Sequence, residues 1–240
     1  MSAVRPLFSS ARARGSALGG DESGFTLIEM IVASVLGVLV LGIGASLLLS
    51  LFRTQHSVSD YADATTTGQL VSRAIEQGVR NAAALPNAAN PGDKGILAGP
   101  MVAGTGQLLR ARVAIGTQNG DVTWQCQAWY YSDATHTVLW ARSTASAIAD
   151  PGGFAWNAAG TGVVPLTPQA GVNWTLLGTG ITIPADGLST QFFGAQAGLD
   201  VDSVTLRFQV THGSIALVLI RNTIVQRKLD PTGSGPAACY

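Results

Sequence analysis

The chain has 240 residues, of which 12% are charged and 7% are aromatic, and its 14 basic and 14 acidic residues give a formal net charge of zero. A neutral balance provides no electrostatic attraction to nucleic acid or to an acidic partner. No Lys- or Arg-rich run with interleaved aromatic residues occurs in the sequence, so we expect no direct nucleic-acid site.

A long apolar segment occupies residues 25–52, where Glu29 is the only charged residue and proline is absent. As an α-helix it would be about 42 Å long, which exceeds the roughly 30 Å hydrocarbon core of a membrane. Downstream, Arg53 is the nearest basic residue. The upstream flank contains three arginines: Arg5, Arg12 and Arg14. The positive-inside rule therefore predicts a single-pass protein with a cytoplasmic N-terminus and an extracytoplasmic body.

Two general interpretations leave part of this segment unexplained. A secretory signal has a shorter apolar core that ends at a small-residue cleavage site, whereas this run continues into a helix-compatible sequence. A plain signal anchor fits the length and the orientation. It does not explain Glu29, because an acidic residue in a membrane span costs roughly 2.5–3.5 kcal/mol and usually marks function.

The stretch Gly24-Phe25-Thr26-Leu27-Ile28-Glu29 resembles the processing signal of type IV prepilins and type II secretion pseudopilins. The resemblance implies that residues 1–24 are a leader peptide, which a prepilin peptidase and methyltransferase removes after Gly24 before methylating the new N-terminus at Phe25. It also implies an inner-membrane assembly platform, other pilin or pseudopilin subunits as partners, and a surface filament after assembly.

Glu29 has a physical role that fits this resemblance. Cleavage would create an ammonium group at Phe25, four residues earlier and on nearly the same helix face. Opposite charges attract more strongly in lipid than in water, so the amine of one subunit could pair with the Glu29 carboxylate of its neighbour and fix their axial register. The simpler alternative is a Glu29 side chain that extends to the membrane interface.

Three glycines interrupt the apolar helix: Gly37, Gly42 and Gly44. Each costs about 1 kcal/mol of helix stability relative to alanine. Small residues four apart, such as Ala33 with Gly37, allow helices to approach closely in lipid. We expect helix packing or local softening here, and the alternative is that these small residues are incidental on a lipid-facing helix.

Residues 53–85 predict an amphipathic continuation of the helix, which Pro86 should end. Apolar or small residues recur three or four apart and predict a stripe that packs on the following domain. Its members are Val58, Tyr61, Thr65, Gly68, Val71, Ile75, Val79 and Ala82. The predicted arrangement is a membrane-rooted stalk helix that carries a head at residues 86–240.

The predicted head is rich in β-strands, because apolar residues alternate with polar ones in several segments. Leu109, Ala111, Val113 and Ile115 form one alternating set, and Val204, Leu206, Phe208 and Val210 form another. A third set is predicted to share one face: Val122, Trp124, Cys126, Ala128 and Tyr130. The segment SDATH that follows, residues 132–136, predicts a turn into a further strand and hence a hairpin. We expect an α+β fold of the pilin type, in which an antiparallel sheet lays its apolar face on the helix stripe.

The two cysteines, Cys126 and Cys239, are far apart in sequence. Without a CxxC or Cys/His cluster they predict no metal site. In a compartment outside the cytoplasm one disulfide between them is the economical interpretation, and it would attach the tail to the strand that bears Cys126. The alternative is two unrelated thiols.

No catalytic or cofactor-binding motif is present in the sequence, so we predict neither catalytic residues nor a cofactor. Two functions remain. One is a minor pilin or pseudopilin, a structural subunit similar to PilW-like minor pilins or J-type minor pseudopilins, which assembles into or primes a filament. The other is a signal-anchored membrane protein whose extracytoplasmic domain binds a ligand or catalyses a reaction.

Overall fold

The computed structural model describes residues 24–84, 95–118, 121–194, 202–213, 215–227, 236 and 239–240. The predicted leader therefore lies outside the described residues except for Gly24, and so does Pro86. The chain divides into two compact units, one ending at Phe52 and the other running from Arg53 to Tyr240. We call the second one the head unit.

The fold consists of one α-helix followed by antiparallel strands, which confirms the predicted α+β, pilin-like architecture. The helix α1 is Leu27–Arg80, and its first part belongs to the N-terminal unit. The strands are β1 Ile96–Ala98, β2 Gly106–Gln118, β3 Asp121–Ser132, β4 Thr137–Ser143, β5 Phe154–Trp156, β6 Val163–Pro165, β7 Trp174–Thr179, β8 Ile181–Thr182, β9 Phe193–Gly194, β10 Ser203–His212 and β11 Ile215–Val225.

The strands form separate sheets, where the sequence predicted a single one. A five-stranded sheet has the order β1-β2-β3-β4-β7, and a second sheet has the order β11-β10-β8, with β9 also pairing with β10. Strands β5 and β6 form a two-stranded sheet of their own. The predicted turn at residues 132–136 is confirmed as the connection between β3 and β4.

The main core of the head unit joins the second half of α1 to both larger sheets. Buried side chains of the helix share this core with apolar residues of the five-stranded sheet and of β10 and β11. Its members include Val71, Ile75, Val79, Leu109, Trp129, Tyr131, Phe192, Phe193, Leu206, Phe208, Val210 and Ile224. The four apolar residues of the β10 set are buried as predicted, although Arg207 between them is also buried, where it pairs with Asp186. Leu109, Ala111 and Val113 of β2 are buried as predicted.

Ile115, the fourth member of the β2 set, is exposed instead, because the register of β2 shifts between Ala114 and Gly116. A shift of one residue turns the following side chain to the other face of the sheet. Ile115 therefore leaves the core that Val113 still occupies.

The helix stripe is correct from Gly68 onward and wrong before it. Val58 and Tyr61 are 62% and 54% exposed, whereas Asp60 and Ala64 are buried. The cause is a tertiary contact, because the turn between β10 and β11 places Gly213 directly against the Asp60 carboxylate. The contact with Gly213, and not the apolarity of Val58 and Tyr61, therefore determines which face of this part of the helix is buried.

The helix ends at Arg80, five residues earlier than predicted. Beyond it the backbone bonds to β2: Ala114 N donates to Asn81 O at 2.9 Å, and Ala83 N donates to Arg112 O at 3.0 Å. These strand-like bonds replace the helical ones and therefore end the helix.

Cys126, Ala128 and Tyr130 of β3 share one face as predicted, but this face belongs to a second core and does not meet the helix. The residues of β3 in the core shared with α1 are Trp129 and Tyr131. Successive residues of a strand point to opposite faces, so this second core lies on the side of the sheet away from α1. Its other members include Leu108, Leu139, Ile148, Phe154, Val172 and Cys239.

Candidate functional site

The junction that resembles a prepilin cleavage site lies immediately before α1. Residues 24–26 are not helical, and the helix begins at Leu27. Phe25 is 84% exposed, and a Cβ added to Gly24 would meet nothing within 4 Å. The Gly24–Phe25 peptide bond is therefore in open, non-helical backbone.

Thr26 occupies the N-cap position of the helix. Its carbonyl oxygen accepts hydrogen bonds from Glu29 N at 3.0 Å and Met30 N at 3.2 Å. Its hydroxyl oxygen also lies 3.4 Å from Glu29 N, which donates to it. Threonine at the N-cap with glutamate three residues later is the sequence pattern of a capping box. This pattern is visible in the sequence, in the spacing from Thr26 to Glu29.

Glu29 therefore lies at the third helical position, where a negative charge is favoured by the helix dipole. Within the part of the chain that the structure describes, its carboxylate makes no hydrogen bond and no ion pair. Phe25 precedes the helix in this uncleaved chain. That Phe25 and Glu29 share a helix face after cleavage stays a prediction. The carboxylate is available to a partner from outside the chain.

The first part of α1 exposes its apolar side chains along the whole of residues 27–52. By length and composition α1 can cross a membrane, and it is the single such helix in the described part of the chain. The hydroxyl groups of Ser34 and Ser46 donate to helix carbonyls of Ile31 and Ile43, each at 2.8 Å. These two polar groups are thus satisfied without water, as a lipid environment requires.

Three glycines in the N-terminal part of α1 have open surroundings in the described chain. A Cβ at Gly37, Gly42 or Gly44 would meet nothing within 4 Å. Nothing in the described chain therefore requires glycine at these three positions, and any requirement for small side chains arises from surrounding molecules.

The predicted disulfide is present. Cys126 of β3 and Cys239 are bonded across a sequence separation of 113 residues, and both belong to the second core. The same core contains Tyr130, whose ring packs on Phe154 and Trp174 at centroid distances of 5.1 and 6.3 Å. Burial, with a smaller effect from the Asp150 charge, raises the pKa of Tyr130 to about 12.

The head unit also contains two surface grooves. One, of about 450 Å³, lies between α1 and the five-stranded sheet and is lined entirely by uncharged residues, including Leu70, Trp140 and Leu177. The other, of about 660 Å³, is bordered by Asp133. The Asp133 carboxylate accepts hydrogen bonds from Gly104 N at 2.9 Å and from the Tyr131 hydroxyl at 3.1 Å, which gives it a structural role.

Among the residues that the structure describes, no group of three or more His, Cys, Asp or Glu side chains is arranged to hold a metal ion. The functional signal thus concentrates at the start of α1. A family model of the prokaryotic N-terminal methylation motif matches residues 20–45, which include the Gly24–Phe25 junction and Glu29. The chain carries this methylation motif. No curated protein and no solved structure is significantly similar to the chain.

The methylation motif is consistent with a type IV pilin or pseudopilin and supports a precursor of that kind. It implies processing by prepilin peptidase and assembly with other pilins, and it favours a structural subunit over an enzyme. Together with the apolar helix α1, it supports a protein anchored in the membrane. The disulfide is a further feature that fits pilins.

Proposed function

We propose that the chain is a minor pilin or pseudopilin, which is cleaved after Gly24, N-methylated at Phe25 and assembled into, or used to prime, a type IV pilus or a related filament. The observation that carries the proposal is the Glu29 carboxylate, which has no partner among the described residues and lies in an exposed apolar helix, five residues after the cleavage glycine. A PilW-like or J-type subunit is the proposed subtype, because the hairpin that contains CQAWYY, residues 126–131, and the long body resemble those subunits. Chain length and a loop-rich head favour a minor subunit over the main repeating one.

The cost of placing Glu29 in lipid supports assembly. An isolated carboxylate near the start of the span is unfavourable by a few kcal/mol, and a new ammonium group at Phe25 carries a similar cost. If the amine of an incoming subunit meets the Glu29 carboxylate of its neighbour, both charges are neutralised in a medium where their attraction is strong. Pairing thus favours insertion and sets the axial register between helices.

The remaining parts of the proposal follow from the flanks and the disulfide. Three upstream arginines favour a cytoplasmic location for residues 1–24, and the Cys126–Cys239 bond fits a head in an oxidising compartment. The open sides of Gly37, Gly42 and Gly44 would allow close packing with neighbouring helices in the filament core. The immediate partners are other pilin or pseudopilin subunits, the assembly platform, the peptidase and membrane lipid.

Mass spectrometry of the full-length protein recovered from membranes tests the first step. We expect a mature chain that begins with N-methylated Phe25, and Gly24→Ala should slow its appearance and leave precursor on a gel. A working protein that retains residues 1–24 would contradict the proposal and favour a signal-anchored domain with its own activity.

The role of Glu29 requires a separate measurement. We expect Glu29→Ala to be cleaved and membrane-bound, yet to be at least tenfold depleted from sheared filaments relative to wild type. The matched control is Glu76→Ala, which removes an acidic residue from the same helix within the head unit, where Glu76 pairs with Arg80 on the surface. Incorporation of Glu29→Ala at the wild-type level would refute the pairing role.

A further inference from the structure

The starting point of α1 bears on how the leader is removed. The helix begins at Leu27, two residues after Phe25. Residues 25–28 contain no charged residue and no proline that would fix the start of the helix at this position. A helix start that is not set by sequence polarity needs another cause, and N-cap side chains are the usual one.

Thr26 supplies this cause. Glu29 N donates to both the carbonyl and the hydroxyl oxygen of Thr26, so one of the four orphan N–H groups of the first turn has a side-chain acceptor. An N-cap residue takes a non-helical conformation while its carbonyl already accepts the first helical bond. The residues before it, Gly24 and Phe25, are thereby kept outside the helix.

The position of this cap is relevant to hydrolysis of the adjacent bond. Hydrolysis adds water across the Gly24–Phe25 peptide: the hydroxyl goes to the Gly24 carbonyl carbon, the proton goes to the Phe25 nitrogen, and the C–N bond breaks. Proteolysis favours exposed backbone that is not engaged in secondary structure. If α1 extended by one turn, the Phe25 and Gly24 carbonyl groups would become acceptors of helical hydrogen bonds, and the scissile bond would be wound into the helix.

We propose that Thr26 is a positioning residue for leader removal, whose hydroxyl fixes the start of α1 at Leu27 and so holds the Gly24–Phe25 bond in the open backbone that the peptidase requires. The inference rests on the proposed function, because it presupposes cleavage after Gly24. Thr26 acts through the backbone and takes no part in the chemistry of the peptidase.

The test is the rate of leader removal in the full-length precursor, followed by pulse–chase in membranes that contain prepilin peptidase. Thr26→Val keeps the shape of the side chain and removes the hydroxyl. We expect it to be processed more slowly, by up to about fivefold, which is the full ~1 kcal/mol of a typical N-cap converted to a rate. Thr26→Ser and Thr26→Asn keep a capping oxygen and should restore the wild-type rate.

The matched control is Ser34→Ala, which removes a hydroxyl bonded to Ile31 O in the same helix, away from the cap. It should be processed at the wild-type rate. Wild-type processing of Thr26→Val would overturn the proposal, and so would a defect in Thr26→Ser or Thr26→Asn as large as that of valine. If wild-type precursor itself is not cleaved after Gly24, the proposed function fails first, so the two failures are distinguishable.

Discussion

Gly78 of α1 lies directly against the six-membered ring of Trp129 in β3. A Cβ built on Gly78 would overlap Cη2 and Cζ2 of this ring, and Trp129 is completely buried. The helix therefore approaches the five-stranded sheet as closely as it does because position 78 has no side chain. This contact is one of the points at which α1 and the sheet share the main core.

Gly78→Ala should destabilise the head unit. Overpacking a buried site typically costs 1–3 kcal/mol, and the better helix propensity of alanine returns about 1 kcal/mol at most. We expect a net loss of roughly 1–2 kcal/mol, measured from denaturant unfolding of the purified full-length chain followed by tryptophan fluorescence. Gly116→Ala is the control, since a Cβ there meets nothing within 4 Å. Equal stability of the two variants would contradict this account of the contact.

The disulfide should stabilise the head unit substantially, because it closes a long loop. For a separation of 113 residues the loss on removal is expected to be about 2–5 kcal/mol. We expect the double variant Cys126→Ser/Cys239→Ser to unfold at lower denaturant. A reductant should move the wild-type curve toward that of the variant and leave the variant unchanged. Alkylation of the wild-type protein without prior reduction would show free thiols and exclude the bond.

Stability should fall at alkaline pH because of Tyr130. Burial raises the pKa of its phenol to about 12 in the folded head, whereas the unfolded chain has a pKa near 10. The unfolded state therefore releases this proton first, so the stabilising contribution is complete below pH 10 and is lost as the pH rises toward 12. Burial also raises the pKa of Tyr131, which adds to the same trend.

The measurement is the free energy of unfolding at several pH values between 8 and 11.5, for wild type and for Tyr130→Phe. Each pKa unit corresponds to 1.36 kcal/mol, so the wild-type value should decline by about 1–2 kcal/mol more than that of the variant over this interval. Parallel curves for the two proteins would mean that Tyr130 ionises normally in the folded head.

The features of this protein that depend only on residues close together in the sequence could be predicted from it. Short stretches of sequence are sufficient to predict the apolar helix, the turn between β3 and β4 and the apolar set of β10. The disulfide could also be predicted from the sequence, because it contains only two cysteines. Thr26 could have been recognised from its spacing to Glu29, since that pattern is sufficient for an N-cap prediction.

Other features depended on contacts that a periodic pattern cannot reveal. Trp129 and Tyr130 are adjacent, aromatic and both buried, so the pattern of β3 does not say which face meets the helix. The answer depends on Ile148, Phe154, Val172 and Cys239, which cover the second face from distant parts of the sequence. The burial of Asp60 likewise depends on Gly213, more than 150 residues away.

The open surroundings of Gly37, Gly42 and Gly44 make these three positions useful as reporters. Replacing any of them with alanine introduces no clash within a single chain and slightly favours the helix. A solitary subunit should therefore tolerate such a change. A defect that appears only in assembled filaments would then show that neighbouring helices approach closely at that position. Substitutions of increasing size, from alanine to leucine, would show how much space each position has.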